Sequence, residues 1–252
     1  STQSRSSAAS DVYKRQVHIG TLTLSNYFNA NNRNIISSQN VQLLPGKSYT
    51  ITLKFELGIQ LAASNINLTQ NGCTTNDKND LAKLRWATGN LKSTGSTNYI
   101  WAPSQTEIGY YYAFNKLYNG STGDPCSKLN TAYYGTGWRT PSKNELEKLS
   151  RCTDKVFTNN GMWFMNKSLG VFLKAGGVRQ ESGSGTNGAT YTDHGCYWTS
   201  TIGTSKNAYN MEFWNTEAHV NNTSSWFGLQ TNGLLIRCLL YTSPSPRDLS
   251  TS

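Results

Sequence analysis

Residues 49–57, a run in which apolar and polar residues strictly alternate, constrain the fold most strongly. Every second residue from Tyr49 is apolar or aromatic, and the residues between them are Thr, Lys or Glu. This period of two is typical of a β-strand with one buried and one exposed face. Because two or three strands cannot bury such a face alone, residues 17–61 predict part of an antiparallel β-sandwich.

The composition favours β-sheet surfaces and ordered loops over a helical bundle. Apolar residues make up 36% of the 252 residues and charged residues 15%, and Asn, Ser, Thr, Gly and Tyr are abundant instead. The formal net charge is +9, but Lys and Arg are scattered singly, so we expect no nucleic-acid partner. No apolar stretch approaches the roughly 20 residues of a membrane-spanning helix, so we expect no membrane span in this sequence.

The sequence from residue 84 onward predicts an α+β module of short strands, long loops and one clear helix. A polar connector at 62–83 precedes it. Residues 77–80 of this connector partly resemble a calcium-binding loop, but they lack its Gly and its distal Glu, which favours a solvated turn. From Leu84 the sequence consists of short aromatic-rich segments separated by Gly turns, which predicts the module over 84–239. Asp124-Pro125 indicates a short helix with Asp as N-cap and Pro in its first turn.

The clear helix lies within 140–152. Thr140 is one candidate N-cap, with Pro141 setting the first turn. The alternative places the start at Ser142, with Glu145 completing a capping box. In both registers the apolar face carries Leu146 and Leu149.

Five cysteines, Cys73, Cys126, Cys152, Cys196 and Cys238, are widely spaced and form no CxxC pair. With only three His residues, this pattern argues against a zinc site, and we expect no metal and no organic cofactor. One or two disulfides in an oxidising compartment, or isolated buried thiols, both fit the spacing. With Cys73 set apart in the connector, we predict the pairs Cys126–Cys152 and Cys196–Cys238, although four cysteines allow three connectivities.

Six short motifs resemble, in their order, the Fibrobacter-type major paralogous domain of Bacteroidota surface proteins. They are WATGNL (86–91), GDPC (123–126), GWRTP (137–141), FLKAGGVR (172–179), GCYWTST (195–201) and IRC (236–238). The resemblance implies a C-type-lectin-like fold for the module. Similarly, LLPGKSYTITLKFELGIQ (43–60) resembles the closing strands of a fimbrillin-like domain. The motif residues have a structural interpretation first: Trp138 and Trp198 are expected in the core, and Gly176-Gly177 permit a turn or a close strand approach.

Both ends, 1–16 and 240–252, resemble translated sequencing-adapter sequence found on metagenomic reading frames. Each is polar and aperiodic, and neither can bury a face, so natural disordered tails are the alternative. We expect no contribution to the fold from either segment. In the adapter interpretation the natural ends and any export signal are absent from this sequence.

No pattern predicts catalysis. Asp193-His194 are adjacent in a predicted loop, which favours an exposed turn over a nucleophile–base set. The segment after Gly137 partly resembles the helix opening of formylglycine-generating enzymes, in which Cys196 and Cys238 would imitate the reactive cysteine pair, but the surrounding signature is missing. Calcium-dependent lectins use an acidic Pro loop and a Trp-Asn-Asp strand, and this chain offers only Trp-Asn-Thr at 214–216, so a calcium-bridged sugar site is not expected.

The segment 204–232 is the predicted ligand surface. It is dense in Asn, Ser, Thr, Tyr and Trp, a mixture that resembles paratope chemistry, and an ordinary polar β-surface is the alternative. Strand alternation predicts that Tyr209, Met211 and Phe213 point inward. The candidate ligand-binding residues, with Trp226 as the first choice of anchor, are Trp214, Asn215, Asn221, Asn222, Ser224, Trp226 and Phe227.

Together these features predict a non-catalytic cell-surface adhesin or fimbrial accessory subunit that binds an extracellular glycan or protein. The expected location is extracellular, at the outer-membrane surface or in a fimbrium. A purely structural surface subunit is the alternative, and a formylglycine-generating-type enzyme ranks third.

Overall fold

The computed structural model of this chain describes residues 20–22, 41–43, 58–70, 72–158, 160–165, 169–180, 183–221 and 226–241. The chain divides into two compact units, 1–57 and 58–252. In the first unit, β1 (Gly20–Leu22) pairs antiparallel with β2 (Val41–Leu43). The alternating segment 49–57 lies outside the described residues, so the predicted β-sandwich stays a prediction.

Small antiparallel sheets of short strands make up most of the second unit. One contains β3 (Ile59–Gln60), β4 (Leu84–Trp86) and β13 (Leu239–Tyr241), and a two-stranded one contains β5 (Leu91–Ser93) and β6 (Tyr99–Trp101). Leu240 and Tyr241 pair with β4, so the expectation that 240–252 contributes nothing to the fold is wrong for these two residues. Another joins β7 (Lys155–Thr158), β8 (Gly161–Phe164) and β9 (Val171–Lys174), and a further sheet joins β10 (Gly195–Ile202), β11 (Ala208–Trp214) and β12 (Glu217–Asn221).

In the part of the chain that the structure describes, the α-helices are α1 (Thr75–Ala82), the four-residue α2 (Thr131–Tyr134) and α3 (Lys143–Cys152). Short 3-10 helices cover Ala63–Asn65, Pro125–Lys128 and Trp226–Gly228. The mixed class with short antiparallel strands is therefore confirmed. Asp124 caps the second of these 3-10 helices by accepting from the Cys126 amide at 2.9 Å, as predicted from Asp124-Pro125.

The predicted connector is an integral part of the second unit, so its interpretation as a polar linker is wrong. Leu61 and Leu81 are fully buried, and β3 pairs with β4. The expected turn at 77–80 is helical, because Thr74 and Asp77 form a capping box that starts α1. Lys148 and Arg151 of α3 pair with acidic side chains of α1 at 2.6 Å and 2.9 Å. A helix with so few apolar residues leaves little periodic signal in the sequence.

Helix α3 uses the second of the two predicted starts. Ser142 is the N-cap, and Glu145 completes the capping box by accepting from the Ser142 amide at 2.7 Å. Thr140 instead binds the Asp124 carboxylate through its amide at 2.8 Å and its hydroxyl at 2.7 Å. Asp124 therefore ties the start of the 3-10 helix to the chain that leads into α3. Leu146 and Leu149 are buried in the core, as predicted.

The predicted core anchors are buried. Trp138 and Trp198 are both nearly inaccessible, and Trp198 Nε1 donates to the carbonyl of Tyr112 at 2.7 Å. Gly177 has a φ of +68°, and a Cβ there would lie 2.0 Å from the Thr190 carbonyl oxygen, which confirms the predicted close approach of two chain segments.

A buried arginine joins distant parts of the second unit. Arg237 is 1% exposed, and its guanidinium donates to oxygen atoms of Ala87, Asn90, Gln105 and Phe172. These acceptors are neutral carbonyl and amide oxygens, so burial lowers the pKa of Arg237 to about 10. Such a cation is tolerated in the core only while its hydrogen bonds are made.

Both disulfides differ from the predicted pairs. Cys73 bonds to Cys152 and Cys126 bonds to Cys238, whereas Cys196 is a buried free thiol. The predicted pairs Cys126–Cys152 and Cys196–Cys238 are therefore wrong. The error has one cause: no sequence pattern indicated that Cys73 lies just before a helix that packs beside α3, the helix that ends at Cys152.

Candidate functional site

Strand β11, the middle strand of the sheet of β10, β11 and β12, is buried on both faces over most of its length. Met211 and Phe213 are buried on the core side, and Tyr209 is partly buried. Side chains on the opposite face of β11 pair across the sheet with those of β12, because cross-strand partners share a face. The pairs are Asn210 with Asn221, Glu212 with His219, and Trp214 with Glu217.

A buried carboxylate lies in the middle of that second face. Glu212 is 4% exposed; its Oε1 accepts from Asn210 Nδ2 at 2.8 Å and its Oε2 from Asn221 Nδ2 at 2.9 Å. Burial, followed by the charge of Glu212, raises the pKa of the neighbouring Cys196 thiol well above its ordinary value. Charge-assisted hydrogen bonds of this kind fix side-chain positions in a covered layer. Asn221, predicted as a ligand contact, thus helps to hold this carboxylate, and its part in binding stays a prediction.

Beyond this polar layer, aromatic side chains form a partly exposed surface cluster. Ring centroids lie 5.3 Å apart for His194 and Trp214, 5.4 Å for Tyr191 and Phe227, 5.9 Å for Trp214 and His219, and 6.1 Å for His194 and Phe227. Tyr191 is 48% exposed and Trp214 is 38% exposed. We call this cluster the aromatic platform; its members are Tyr191, His194, Trp214, His219 and Phe227.

Two residues at the platform have left-handed backbone conformations. Tyr191 has a φ of +54° and Asn215 a φ of +53°, a region that costs free energy for residues other than Gly. Asn215 lies in the turn that joins β11 to β12, next to Trp214. The His194 amide donates to the Tyr191 carbonyl at 2.9 Å, and the Gly177 amide donates to the His194 carbonyl at 2.8 Å. These bonds hold the backbone of 191–194, the loop that carries two of the platform rings.

Each histidine of the platform contacts a carboxylate. His194 Nδ1 lies 2.9 Å from Asp193 Oδ1, and His219 Nε2 lies 2.9 Å from Glu217 Oε2. The hydrogen bond with His194 lowers the pKa of the exposed Asp193 carboxyl. Asp193 is therefore exposed, as predicted for the turn at Asp193-His194. The imidazole of His194, in contrast, is mostly buried among rings.

A polar cleft adjoins the platform at His219. It has a volume of about 680 Å³ and lies between the end of α3 and strand β12. The lining from α3 and β7 is Glu147, Ser150, Arg151 and Lys155, and the lining from β12 and its turn is Thr216, Glu217, Ala218, His219, Val220 and Asn221. His219 thus belongs to both features, and the platform and the cleft adjoin at this residue.

The structure brings two of the predicted ligand residues, Trp214 and Phe227, into the platform. Asn215 is exposed beside them. Asn222 and Ser224 lie outside the described residues. Trp226 begins the short 3-10 helix that ends at Gly228, and only its backbone is described.

Three platform residues were missed by the sequence prediction. Tyr191 and His194 come from a loop before β10, outside the segment 204–232, and only the fold brings them to Trp214. His219 could have been found from strand alternation, since it is two residues from Glu217 on a strand that directly follows Trp214.

Among the described residues, the side chains that come closest to a metal-ligand arrangement are Cys73, Asp77 and Cys152, within 4.8 Å of one another. The two sulfur atoms form a disulfide, and Asp77 pairs with Arg151 at 2.9 Å. This arrangement is structural. Within the described part of the chain, no helix is both long and apolar enough to cross a membrane.

Comparison of the chain with protein-family models, with curated proteins and with solved structures gives no match.

Proposed function

We propose that this chain is a non-catalytic cell-surface adhesin or fimbrial accessory subunit that binds an extracellular glycan or protein through the aromatic platform. The observation that carries the proposal is the half-exposed Trp214 in contact with His194 and His219. Exposed aromatic rings have an unfavourable hydration free energy, and a group of them held in fixed positions is typical of binding surfaces.

The two disulfides support the extracellular location. The bonds Cys73–Cys152 and Cys126–Cys238 are typical of proteins that fold in an oxidising compartment.

Residues of the six motifs are core residues, among them Trp86, Trp138, Trp198 and Arg237. Their structural role supports the proposed membership in the Fibrobacter-type major paralogous domain family, with its C-type-lectin-like fold.

Each alternative function would require a different arrangement of the cysteines or of the aromatic platform. A formylglycine-generating-type enzyme would need Cys196 and Cys238 as a reactive pair, but Cys238 is bonded to Cys126 and Cys196 is a buried thiol with a raised pKa. A purely structural subunit would need no exposed aromatic platform. We therefore rank ligand binding first.

An array that carries both glycans and extracellular proteins tests the proposal. The wild-type chain is expected to bind at least one class of spot, and the double variant Tyr191→Ser/Trp214→Ser is expected to lose that signal. The matched control is Tyr133→Ser, because Tyr133 is 74% exposed on α2 and is not a member of the platform. Absence of wild-type binding to every spot, or equal binding by the double variant, would favour the structural subunit.

A further inference from the structure

The platform and the adjoining cleft are suited to one class of ligand. We propose that they form a single extended site for an uncharged oligosaccharide, with one sugar ring on the platform and the following units in the cleft. This inference rests on the proposed binding function and specifies its ligand.

The spacing of the rings determines how a ligand can bind to the platform. Neighbouring centroids are 5.3–6.1 Å apart, which is the separation of aromatic rings in direct contact. Two rings in direct contact leave no room between them for a cation of the kind that aromatic cages enclose. A ligand that lies on the exposed surface of the rings would offer an apolar face to them. A pyranose ring has such a face, built of C–H groups, and a rim of hydroxyls.

Hydrogen-bonding groups surround the platform where the hydroxyl rim would lie. The carboxylates of Asp193 and Glu217 are largely exposed, at 80% and 64% of their side-chain surface. Asn215 is exposed beside Trp214. Carboxylates accept strong hydrogen bonds from hydroxyl donors, and an amide both donates and accepts. The apolar centre and polar rim of the platform thus match the two surfaces of a sugar ring.

The cleft favours a ligand without net charge. Arg151 pairs with Asp77 at 2.9 Å, and Glu147 pairs with Lys143 at 3.5 Å. Lys155 Nζ donates to the Ser150 carbonyl at 2.7 Å. Charges of both signs line the cleft and already have partners, so they do not sum to a field that would attract an anion or a cation. Hydroxyl groups, which donate and accept hydrogen bonds, can bind both to the anionic and to the cationic side chains of the cleft.

A peptide that extends the sheet fits this surface less well. Strand β12 pairs with β11 on one side. On its other side Ser150 Oγ of α3 donates to the Ala218 carbonyl at 3.0 Å, so the helix occupies the edge to which an added strand would pair.

Titration of the full chain with neutral hexose oligomers of increasing length, from the monosaccharide upward, tests the inference. Binding is followed by calorimetry and by tryptophan emission. We expect the affinity to rise with oligomer length in the wild-type chain. The variant Glu147→Ala, which removes one cleft carboxylate, should reduce the affinity for the longer oligomers by roughly tenfold, the effect of one lost charge-assisted hydrogen bond. Tyr133→Ala is the control and should match the wild type.

The outcomes separate this inference from the proposed function. Platform-dependent binding to array proteins, without binding to any hexose oligomer, overturns the oligosaccharide assignment and leaves the adhesin proposal standing. Affinity that is independent of oligomer length and of Glu147 overturns the role of the cleft. Absence of binding to oligomers and array proteins alike overturns the proposed function itself.

Discussion

Arg237 Nε donates a hydrogen bond to Asn90 Oδ1 at 3.0 Å across 147 residues of chain, inside the core. Asn90 Nδ2 in turn donates to the carbonyls of Glu107 and Ile108 at 3.0 Å each. The hydroxyl of Tyr197 lies 3.0 Å from the same nitrogen, so the two N–H groups of Asn90 are shared among three acceptors. These contacts connect the beginning, the middle and the end of the second unit. A fold of many short strands, none long enough to be stable alone, depends on such connections.

We predict that Arg237→Met destabilises the protein by more than about 2 kcal/mol, because it leaves several buried carbonyl oxygens without a donor. Urea unfolding followed by circular dichroism measures the change. The exposed Lys128→Met variant serves as the control for introducing the same side chain. Equal stability of both variants would show that the network does not hold the core.

The disulfide assignment predicts one free thiol per chain. Denaturation without reductant should expose Cys196 alone to an alkylating reagent, and a non-reducing peptide map should contain the peptide pairs Cys73–Cys152 and Cys126–Cys238. A linked peptide with Cys196 would contradict the assignment.

Removing either disulfide should lower the free energy of unfolding by about 2–5 kcal/mol, since each bond closes a loop of more than 70 residues, with sequence separations of 79 and 112. The double variants Cys73→Ala/Cys152→Ala and Cys126→Ala/Cys238→Ala avoid leaving an odd thiol. Thermal unfolding at neutral pH provides the measurement, and Cys196→Ala controls for the loss of a cysteine that makes no crosslink. A melting temperature that is unchanged in both double variants would refute the stabilising role.

The capping box of α3 predicts a pH-dependent contribution to stability. Burial raises the pKa of the Glu145 carboxyl, but hydrogen bonds from Arg139 and Ser142 together outweigh it, so the pKa lies below its ordinary value. A carboxyl with a depressed folded-state pKa stabilises the fold above its unfolded pKa, and this contribution is lost as the pH falls through the folded pKa.

We therefore expect Glu145→Gln to lower stability at neutral pH, and the difference from the wild type to shrink in acid. Urea titrations across that range provide the measurement. Glu147→Gln, on the exposed side of the same helix with its ion pair to Lys143, is the matched control and should change stability little at any pH. A difference for Glu145→Gln that is the same at neutral and acidic pH would contradict the assignment.

Local signals predicted several elements of the structure. The apolar face of α3, the cap at Asp124 and the burial of Trp138 and Trp198 follow from residue types at short spacing, whereas for the start of α3 the same signals left Thr140 and Ser142 both open. The structural features that the sequence did not predict depend on long-range contacts. Cys73 meets Cys152 only because α1 packs against α3, and the sequence of α1 carries almost no apolar periodicity.

In the candidate site, too, local patterns predicted some features, whereas others depend on long-range contacts. Alternation along β11 placed Met211 and Phe213 inside and Trp214 outside, as observed. It did not show that Asn210 and Glu212 are buried too, because the chain around Gly228 covers that face: a Cβ on Gly228 would lie 3.1 Å from Asn210 Oδ1. Nor could it bring Tyr191 and His194 to Trp214, since those residues come from a loop before the preceding strand.

The central claim is that Trp214 serves binding more than folding, and the variant Trp214→Ala tests it most directly when affinity and melting temperature are measured on the same preparation. The ligand is the strongest binder of the wild-type chain on the array. We predict a loss of about 2 kcal/mol or more in binding, which is roughly thirtyfold in Kd, with a melting temperature close to that of the wild type. Unchanged affinity together with a clearly lowered melting temperature would contradict the account and make Trp214 a structural residue.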